Sequence, residues 1–377
     1  MPNRTNVGRW GCGVSETAYW LAISRWPGIG SRRALRLQQV LGCGKAVWEA
    51  DEETLGEILG LRSASIAKMI AERQNQDPAA MLERVTRAGA WVAAFTDEHY
   101  PAELRQLFDP PIVILGWGQP LIEHNRHLAV VGARRMTSYG RRITHELLAG
   151  LADQDVVIIS GLALGIDGEA HRAALQNGLT TWAVLGSGFG HIYPRQHRQL
   201  ALDIIEQGGT LLSEYWPDVK PEPHHFPARN RIIAALAQAV LVVEADENSG
   251  SLITVDHALD LGRDVWAVPG NATSRFSRGT NKLLRQGASL IASSQDILTE
   301  WGWVTTASQN EVVEPPLRGC AKVVYAVLTD QSRSVEDIVL DSGLTTAEVL
   351  AALVELELGG WVEAAGAQSY RRTPAKT

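Results

Sequence analysis

The run Val130-Val131-Gly132-Ala133-Arg134-Arg135 joins a β-branched stretch to a glycine turn and two arginines, and Tyr139-Gly140 opens the helical pattern that comes next. Glycine lets the backbone come close to a ligand, a helix N-terminus offers unpaired N–H groups, and guanidinium adds a planar fork of donors. The combination suits an anion, above all a phosphate. Related loops recur along the chain. Ser160-Gly161-Leu162-Ala163-Leu164-Gly165-Ile166-Asp167 again follows a β-branched run, with His171 one helical turn beyond Asp167. His224-His225-Phe226-Pro227-Ala228-Arg229-Asn230-Arg231 introduces a helix, with two arginines placed for charge-assisted bonds and Phe226 available to stack on a base. Ser249-Gly250-Ser251 sets small hydroxyl residues at another helix start, an anion nest. Arg278-Gly279-Thr280-Asn281-Lys282 follows the Pro269-Gly270 turn.

Other chemistries fit these residues less well. The glycine turn lacks the GxGxxG spacing, and the second strand ends in Ser160-Gly161 where a dinucleotide site wants an acid for the ribose, so no nucleotide cofactor is expected. Asp167 and His171 share a helical face and invite a catalytic reading, but no serine or cysteine nucleophile with a matching signature accompanies them. A helix cap and its neighbour is the simpler account, and the chain reads as a binding protein, not an enzyme. His224 and His225 are adjacent, and side chains at i and i+1 usually diverge. No third ligand is evident in the sequence, and no metal is expected. Cys12, Cys43 and Cys320 have neither disulfide nor zinc spacing, which predicts a reducing, cytoplasmic compartment.

The elements that position these loops are legible in the hydrophobic rhythm. Residues 15 to 88 form short amphipathic helices broken by glycine, including Pro27-Gly28-Ile29-Gly30 and the weaker Leu59-Gly60-Leu61-Arg62. From Gly89 onward, WVAAF, IVILG, LAVVG, VVIIS, TWAVLG, TLLSE, AVLVVE and DVWAVP are short apolar runs, most of them separated by helical patterns. Strands buried on both faces and alternating with helices predict an α/β domain, a Rossmann-like doubly wound, mainly parallel sheet over 89–300. Its ligand crevice should lie beyond the carboxyl ends of the strands. The polar stretch 301–317, with Pro315-Pro316, reads as a linker, and 318–377 as a winged helix-turn-helix in which Thr345 and Glu348 have capping-box spacing.

A net charge of -7 over 377 residues argues against nucleic acid in general terms. The local distribution answers it. Acids are absent from 21–48, 125–145, 224–243 and 265–295, and each window holds arginines beside a turn motif. The first 16 residues lack an apolar signal-peptide core, and no run reaches the roughly 18 apolar residues of a membrane span. The expectation is a chain neither exported nor membrane-bound.

Taken in order, VGARR…YG, SGLALGID…AH, YP, SEY, FPARNRII, SGSLIT, GRDVWAVPG and RGTNKLL…GA resemble the DNA-processing protein A (DprA/Smf) family across residues 120–293. The resemblance implies a protein that binds and protects single-stranded DNA and loads the RecA recombinase in natural transformation, usually as a homodimer. By motif position it implies a DNA groove built from Gly132, Arg134, Ser160, Gly161, Arg229, Asn230, Arg231, Ser249, Gly250, Ser251, Gly279 and Thr280, to which their loops add Arg135 and Lys282. Ala133, Ala228, Gly190 and Val255 depart from the family's usual serine or threonine, basic residue, aspartate and alanine. The N-terminal segment is similar to a SAM or helix-hairpin-helix module, and Gly28, Gly30, Arg32 and Arg33 would make a second DNA site there, with a purely structural role the alternative. The winged helix resembles a DNA reader, but its recognition helix carries Glu348, Glu355 and Glu357 with no Lys or Arg, which favours a protein contact. The competing expectation is a Rossmann-like nucleotide hydrolase of the phosphoribohydrolase or lysine-decarboxylase-like kind, with Glu244, Asp246 or Asp167 supplying acid–base chemistry.

Overall fold

The structure, a computed structural model, describes residues 14–121, 124, 126–303, 317–329, 331–366 and 369–373. Most of the expected linker, and Cys12, lie outside the described residues. The chain forms two compact units, 1–301 and 302–377.

Among the described residues, the larger unit opens with six helices: α1 (Glu16–Ile23), α2 (Ser31–Leu41), α3 (Gly44–Glu49), α4 (Glu52–Leu59), α5 (Ser63–Gln74) and α6 (Pro78–Arg87). Their boundaries follow from local chemistry. Ser15, Asp51 and Asp77 cap α1, α4 and α6 through their side-chain oxygens, Pro78 occupies the first turn of α6, and left-handed Gly60 ends α4. These helices share one core with the sheet. The buried set containing Trp20, Leu37, Leu55 and Met69 continues without a break through Ile114, Leu115, Ala129 and Val157. The expected boundary at residue 88 therefore marks a change of secondary structure within a common core.

The sheet is built from β1 (Ala90–Ala94), then a short α7 (Ala102–Arg105), β2 (Val113–Gly118), β3 (Arg126–Val131), α8 (Ser138–Ala149), β4 (Val156–Ser160), α9 (Ile166–Gln176) and β5 (Thr180–Val184). It continues through α10 (Arg198–Glu206), β6 (Thr210–Ser213), α11 (His225–Leu236), β7 (Ala239–Val242), α12 (Ser251–Asp260), β8 (Asp264–Ala267), α13 (Arg278–Arg285), β9 (Ser289–Leu290) and α14 (Ser294–Glu300). All eight apolar runs are strands; the two-residue β9 carries too short a pattern to be read from sequence. Strand order is β1-β2-β6-β5-β4-β3-β7-β8-β9. β1 and β2 pair antiparallel with each other, and β2 with β6, while β6 through β9 and the strands between are parallel.

This order creates the crevice. β3 lies between β4 and β7, with Leu128 beside Ala239 and Val131 beside Val242, so the connections leaving β3 and β7 diverge at their carboxyl ends. That is the topological switch point at which doubly wound sheets bind ligands.

The smaller unit has its own core of Ala321, Val324, Leu328, Ile338, Val349, Leu353 and Leu356. It contains α15 (Gly319–Val327), β10 (Arg333–Ser334), α16 (Val335–Ser342), α17 (Thr346–Leu358), β11 (Val362–Gly366) and β12 (Ser369–Arg372). Left-handed Gly343 ends α16, and the Thr345/Glu348 capping box starts α17. Strand order β10-β12-β11 completes the wing.

Candidate nucleic-acid interface

An open groove of about 510 Å³ lies at the switch point, lined by the loops after β3 and β7, the start of α11 and the turn before α13. Gly132 sets its floor. A Cβ there would stand 2.8 Å from Ile166 Cγ1 and 2.9 Å from the Glu244 carbonyl oxygen, so only glycine lets α9 and the β7 loop close against the end of β3. The helix start expected to take an anion already holds one. Glu244, 3% exposed, accepts from the Thr137 backbone N–H at 2.9 Å and the Thr137 hydroxyl at 2.5 Å, and a Cβ on Gly140 would collide with its carboxylate. Glu244 thus fastens the first turn of α8 to β7.

The cations available to a ligand sit on the rim. Arg134, Arg135 and Arg275 are exposed and line the groove. Each of two faces an aromatic ring, Arg134 at 5.7 Å from Phe226 and Arg275 at 4.8 Å from Phe276. Phe226 also lies 5.3 Å from Tyr193, and these rings with Arg134 and Gly161 frame a side pocket of about 40 Å³. On the opposite wall, Asn248, Ser249, Gly250 and Ser251 lead into α12, whose N-terminus has no side-chain cap at Gly250, and the Ser249 and Ser251 hydroxyls are 2.8 Å apart. Asn230 joins this wall by donating to the Gly250 carbonyl at 3.3 Å. Exposed Asp246 puts one carboxylate among the cations. Charged forks beside aromatic faces and free amides match a phosphate backbone with unstacked bases. Arg275, Phe276 and Asn248 are contributions that sequence reasoning misses. Arg275 stands in an acid-free window, and its aromatic neighbour Phe276 is the signal that could have marked it.

Arg231 corrects the sequence reading, whereas Arg229 does line the groove, with its charge engaged inward. Arg229 is 3% exposed at the groove floor; its Nη1 donates to the Gly161 carbonyl at 2.7 Å and to the Val184 carbonyl, and Asp167 lies beside it. Burial pushes the guanidinium down to about 10, still charged at neutral pH. Burial likewise raises the Asp167 carboxyl, against the pull of Arg229 and the Gly161 and Gly132 amides. Glycine at 161 leaves room for this arrangement, since a Cβ would sit 2.5 Å from Arg229 Nη2 and 2.7 Å from Asp167 Oδ2. Arg231 faces away from the groove: Nη1 and Nη2 hold Glu214 at 2.9 and 2.7 Å, and Nε lies 3.2 Å from Asp109. Burial works against its charge, and Glu214 and Asp109 outweigh it, raising its pKa. One arginine holds the loops together, and the other ties α11 to the far side of the core.

Four further expected contacts stand outside the groove lining. Ser160 is fully buried and donates to the Val130 carbonyl at 2.6 Å. Gly279 donates its N–H to the Ala245 carbonyl at 2.8 Å, and Thr280 is buried with its hydroxyl on Ser277, so both seat α13 against the β7 loop. Lys282 is exposed on α13 but does not line the groove. In the N-terminal hairpin, Gly28 has a left-handed backbone and its carbonyl receives the Arg33 guanidinium, Arg32 lies over the Phe108 ring at 4.5 Å, and uncapped Gly30 starts α2. None of these hairpin residues lines the groove.

The catalytic alternatives meet specific obstacles. His171 is fully buried and bonds through Nδ1 to the Thr181 hydroxyl at 2.7 Å, which itself donates to the Ile158 carbonyl; burial depresses its pKa to about 3. Its hydrogen bond runs to Thr181, and Gly165, not Asp167, occupies the cap position of α9. Adjacent His224 and His225 do have a third potential ligand, contrary to the sequence reading: Glu222 lies with them so that ligand atoms fall within 4.8 Å. Their rings are 4.4 Å apart, and the His225 backbone N–H donates to the Glu222 carbonyl at 3.0 Å in the turn before α11.

In the smaller unit, α17 turns Glu348, Glu355 and Glu357 outward together with Leu350, Val354 and Leu358, the last 85% exposed. This acidic and apolar face is ill suited to a phosphate backbone.

Residues 91–302 match the family described as DNA recombination-mediator protein A, and residues 309–368 match the DprA winged helix domain. The chain is 33% identical to protein Smf of Synechocystis sp., covering 95% of this chain and 99% of that one. It is 41% identical to protein Smf of Escherichia coli over 71% of this chain and 73% of the relative. Among solved structures, DNA processing protein A of Streptococcus pneumoniae superposes with a TM-score of 0.67 at 35% identity, covering 75% of this chain and 98% of that one. DNA processing protein A of Helicobacter pylori, whose structure was determined for its single-stranded DNA binding mode, gives 0.50 at 31% identity over 56% and 95%.

Proposed function

Because the chain belongs to the DNA recombination-mediator protein A (DprA/Smf) family, we propose that its switch-point groove holds single-stranded DNA, with Arg134, Arg135 and Arg275 on the phosphates and Phe226 and Phe276 beside the bases. The observation that carries the reading is the pairing of exposed guanidiniums with aromatic faces along an open groove. A duplex keeps its bases stacked and cannot use those faces, whereas a single strand can. Contacts to phosphate carry no sequence information, so little sequence preference follows.

The family supports the wider role: protection of the strand and loading of RecA during DNA uptake and natural transformation, by a homodimer in the cytoplasm. Among the described residues no helix is long and apolar enough to cross a membrane. Within this reading the groove is not catalytic. Glu244 is tied to Thr137 and Asp167 is buried against Arg229, which leaves Asp246 as the exposed acid in the groove lining.

Salt titration of single- and double-stranded DNA binding tests the proposal. Single-strand affinity should fall steeply with salt, by a log–log slope of about 0.7 per phosphate contact, and should exceed duplex affinity. Equal affinity for both would defeat the single-strand reading. Release of free base from nucleoside monophosphates would revive the hydrolase.

A further inference from the structure

A second cavity, of about 710 Å³, opens between the end of β2 and the start of α10. Trp117 and Phe189 form an aromatic wall, with ring centroids 6.2 Å apart and planes inclined at 49°. Arg195 and Arg198 are exposed and line the same cavity, as does His191. Neither arginine has an acidic partner among the described residues, and the cavity lining holds Gly190 and no carboxylate. Exposed guanidiniums without acidic partners, in one cavity with two aromatic rings, call for a ligand that is at once anionic and flat. A nucleotide is such a ligand.

The loop between β5 and α10 links this cavity to the groove. Tyr193 and Pro194 line the side pocket with Arg134 and Phe226, while Phe189 to Ile192 before them and Arg195 after them line the second cavity. Tyr193 and Arg195 are separated by at most about 7 Å of chain, so one short stretch of loop serves both cavities. The loop is held in place: Gly188 and Gly190 donate to the Val219 and Pro217 carbonyls at 2.9 Å, and the His197 ring bonds to the Leu162 carbonyl at 2.9 Å. A rigid loop presents its side chains at little entropic cost on binding.

We propose that this second cavity takes a further nucleotide of the bound strand, its base against Phe189 and Trp117 and its phosphates on Arg195 and Arg198, so that the strand passes Tyr193 and turns along the start of α10. The inference rests on the single-strand reading of the groove and extends it.

Oligothymidylates of increasing length, spanning about 4 to 16 nucleotides, titrated at several salt concentrations test it with the full chain. Three proteins are compared: the unaltered chain, Arg195→Ala/Arg198→Ala, and Arg134→Ala/Arg135→Ala. The Arg195→Ala/Arg198→Ala protein should fall at least tenfold behind on long oligomers only, and its salt slope there should be shallower by about 1.4, two contacts at about 0.7 each. Arg198→Gln alone should show about half of that change, which guards against a double variant that fails to fold. Parity with the unaltered chain at every length, or an equal loss at every length, overturns the second cavity. Failure of the groove reading looks different: Arg134→Ala/Arg135→Ala would then bind every length as the unaltered chain does.

Discussion

Two pairs of arginines, Arg134/Arg135 after β3 and Arg229/Arg231 in α11, look alike in sequence, and the fold gives them opposite tasks. The first pair stands exposed on the groove rim. The second is buried, with Arg229 bonded to two carbonyls beside Asp167 and Arg231 held by Glu214 and Asp109. An arginine is a phosphate contact only if its charge has not already been satisfied. The winged helix repeats the lesson from the other side, because its fold suggests DNA while its exposed α17 face is acidic and apolar.

The largest expected effect is on the buried pair. Arg229→Ala leaves Asp167 and two carbonyls without their partner and should lower stability by about 3–5 kcal/mol. Chemical denaturation would show it, and an Arg229→Ala protein as stable as the unaltered chain would erase the distinction between the pairs. Next comes the exposed pair. Arg134→Ala/Arg135→Ala should keep its unfolding midpoint, while single-strand affinity drops by roughly 2–4 kcal/mol if each charged contact contributes 1.5–3 and the two are not fully additive. The salt slope should flatten by about 1.4.

A smaller effect concerns the buried face of the same sheet. His171 titrates near 3 when folded and near its ordinary 6.5 when unfolded, because burial disfavours its charged form. The unfolded chain therefore binds the proton first, and stability from this group is complete above pH 6.5 and declines as pH falls toward 3. The loss at pH 5 is roughly 2 kcal/mol. Asp167 pulls in the opposite direction, since burial raises its carboxyl, so the measurement is the difference in pH dependence between the unaltered chain and His171→Gln. Identical slopes would show that His171 is not held neutral. The smallest effect is expected from the winged helix: removing residues 318–377, whose core is separate, should change single-strand affinity less than twofold. A tenfold loss would give that unit a direct part in binding DNA.

Much of the architecture is legible in the sequence. Eight apolar runs are eight strands, and the capping box at Thr345 and Glu348 forms as spaced. These features depend on neighbours a few residues away, and local sequence contains them in full. Gly132 and Gly161 read in sequence as ligand contacts, yet their immediate need is steric, against Ile166 and Arg229.

The sequence by itself determined the elements, their order, and which loops carry glycine and positive charge. Only the tertiary structure decided which of those charges are available. Arg229 meets its carbonyl partners 68 and 45 residues away, Arg231 reaches back to Glu214 and Asp109, and Glu244 fills the helix start 107 residues before it in the chain. Coulomb attraction and hydrogen bonding act through space, so a counter-charge distant in sequence can satisfy an arginine completely. The β3–β7 switch point, made by strand order alone, left Arg134 and Arg135 facing an open groove.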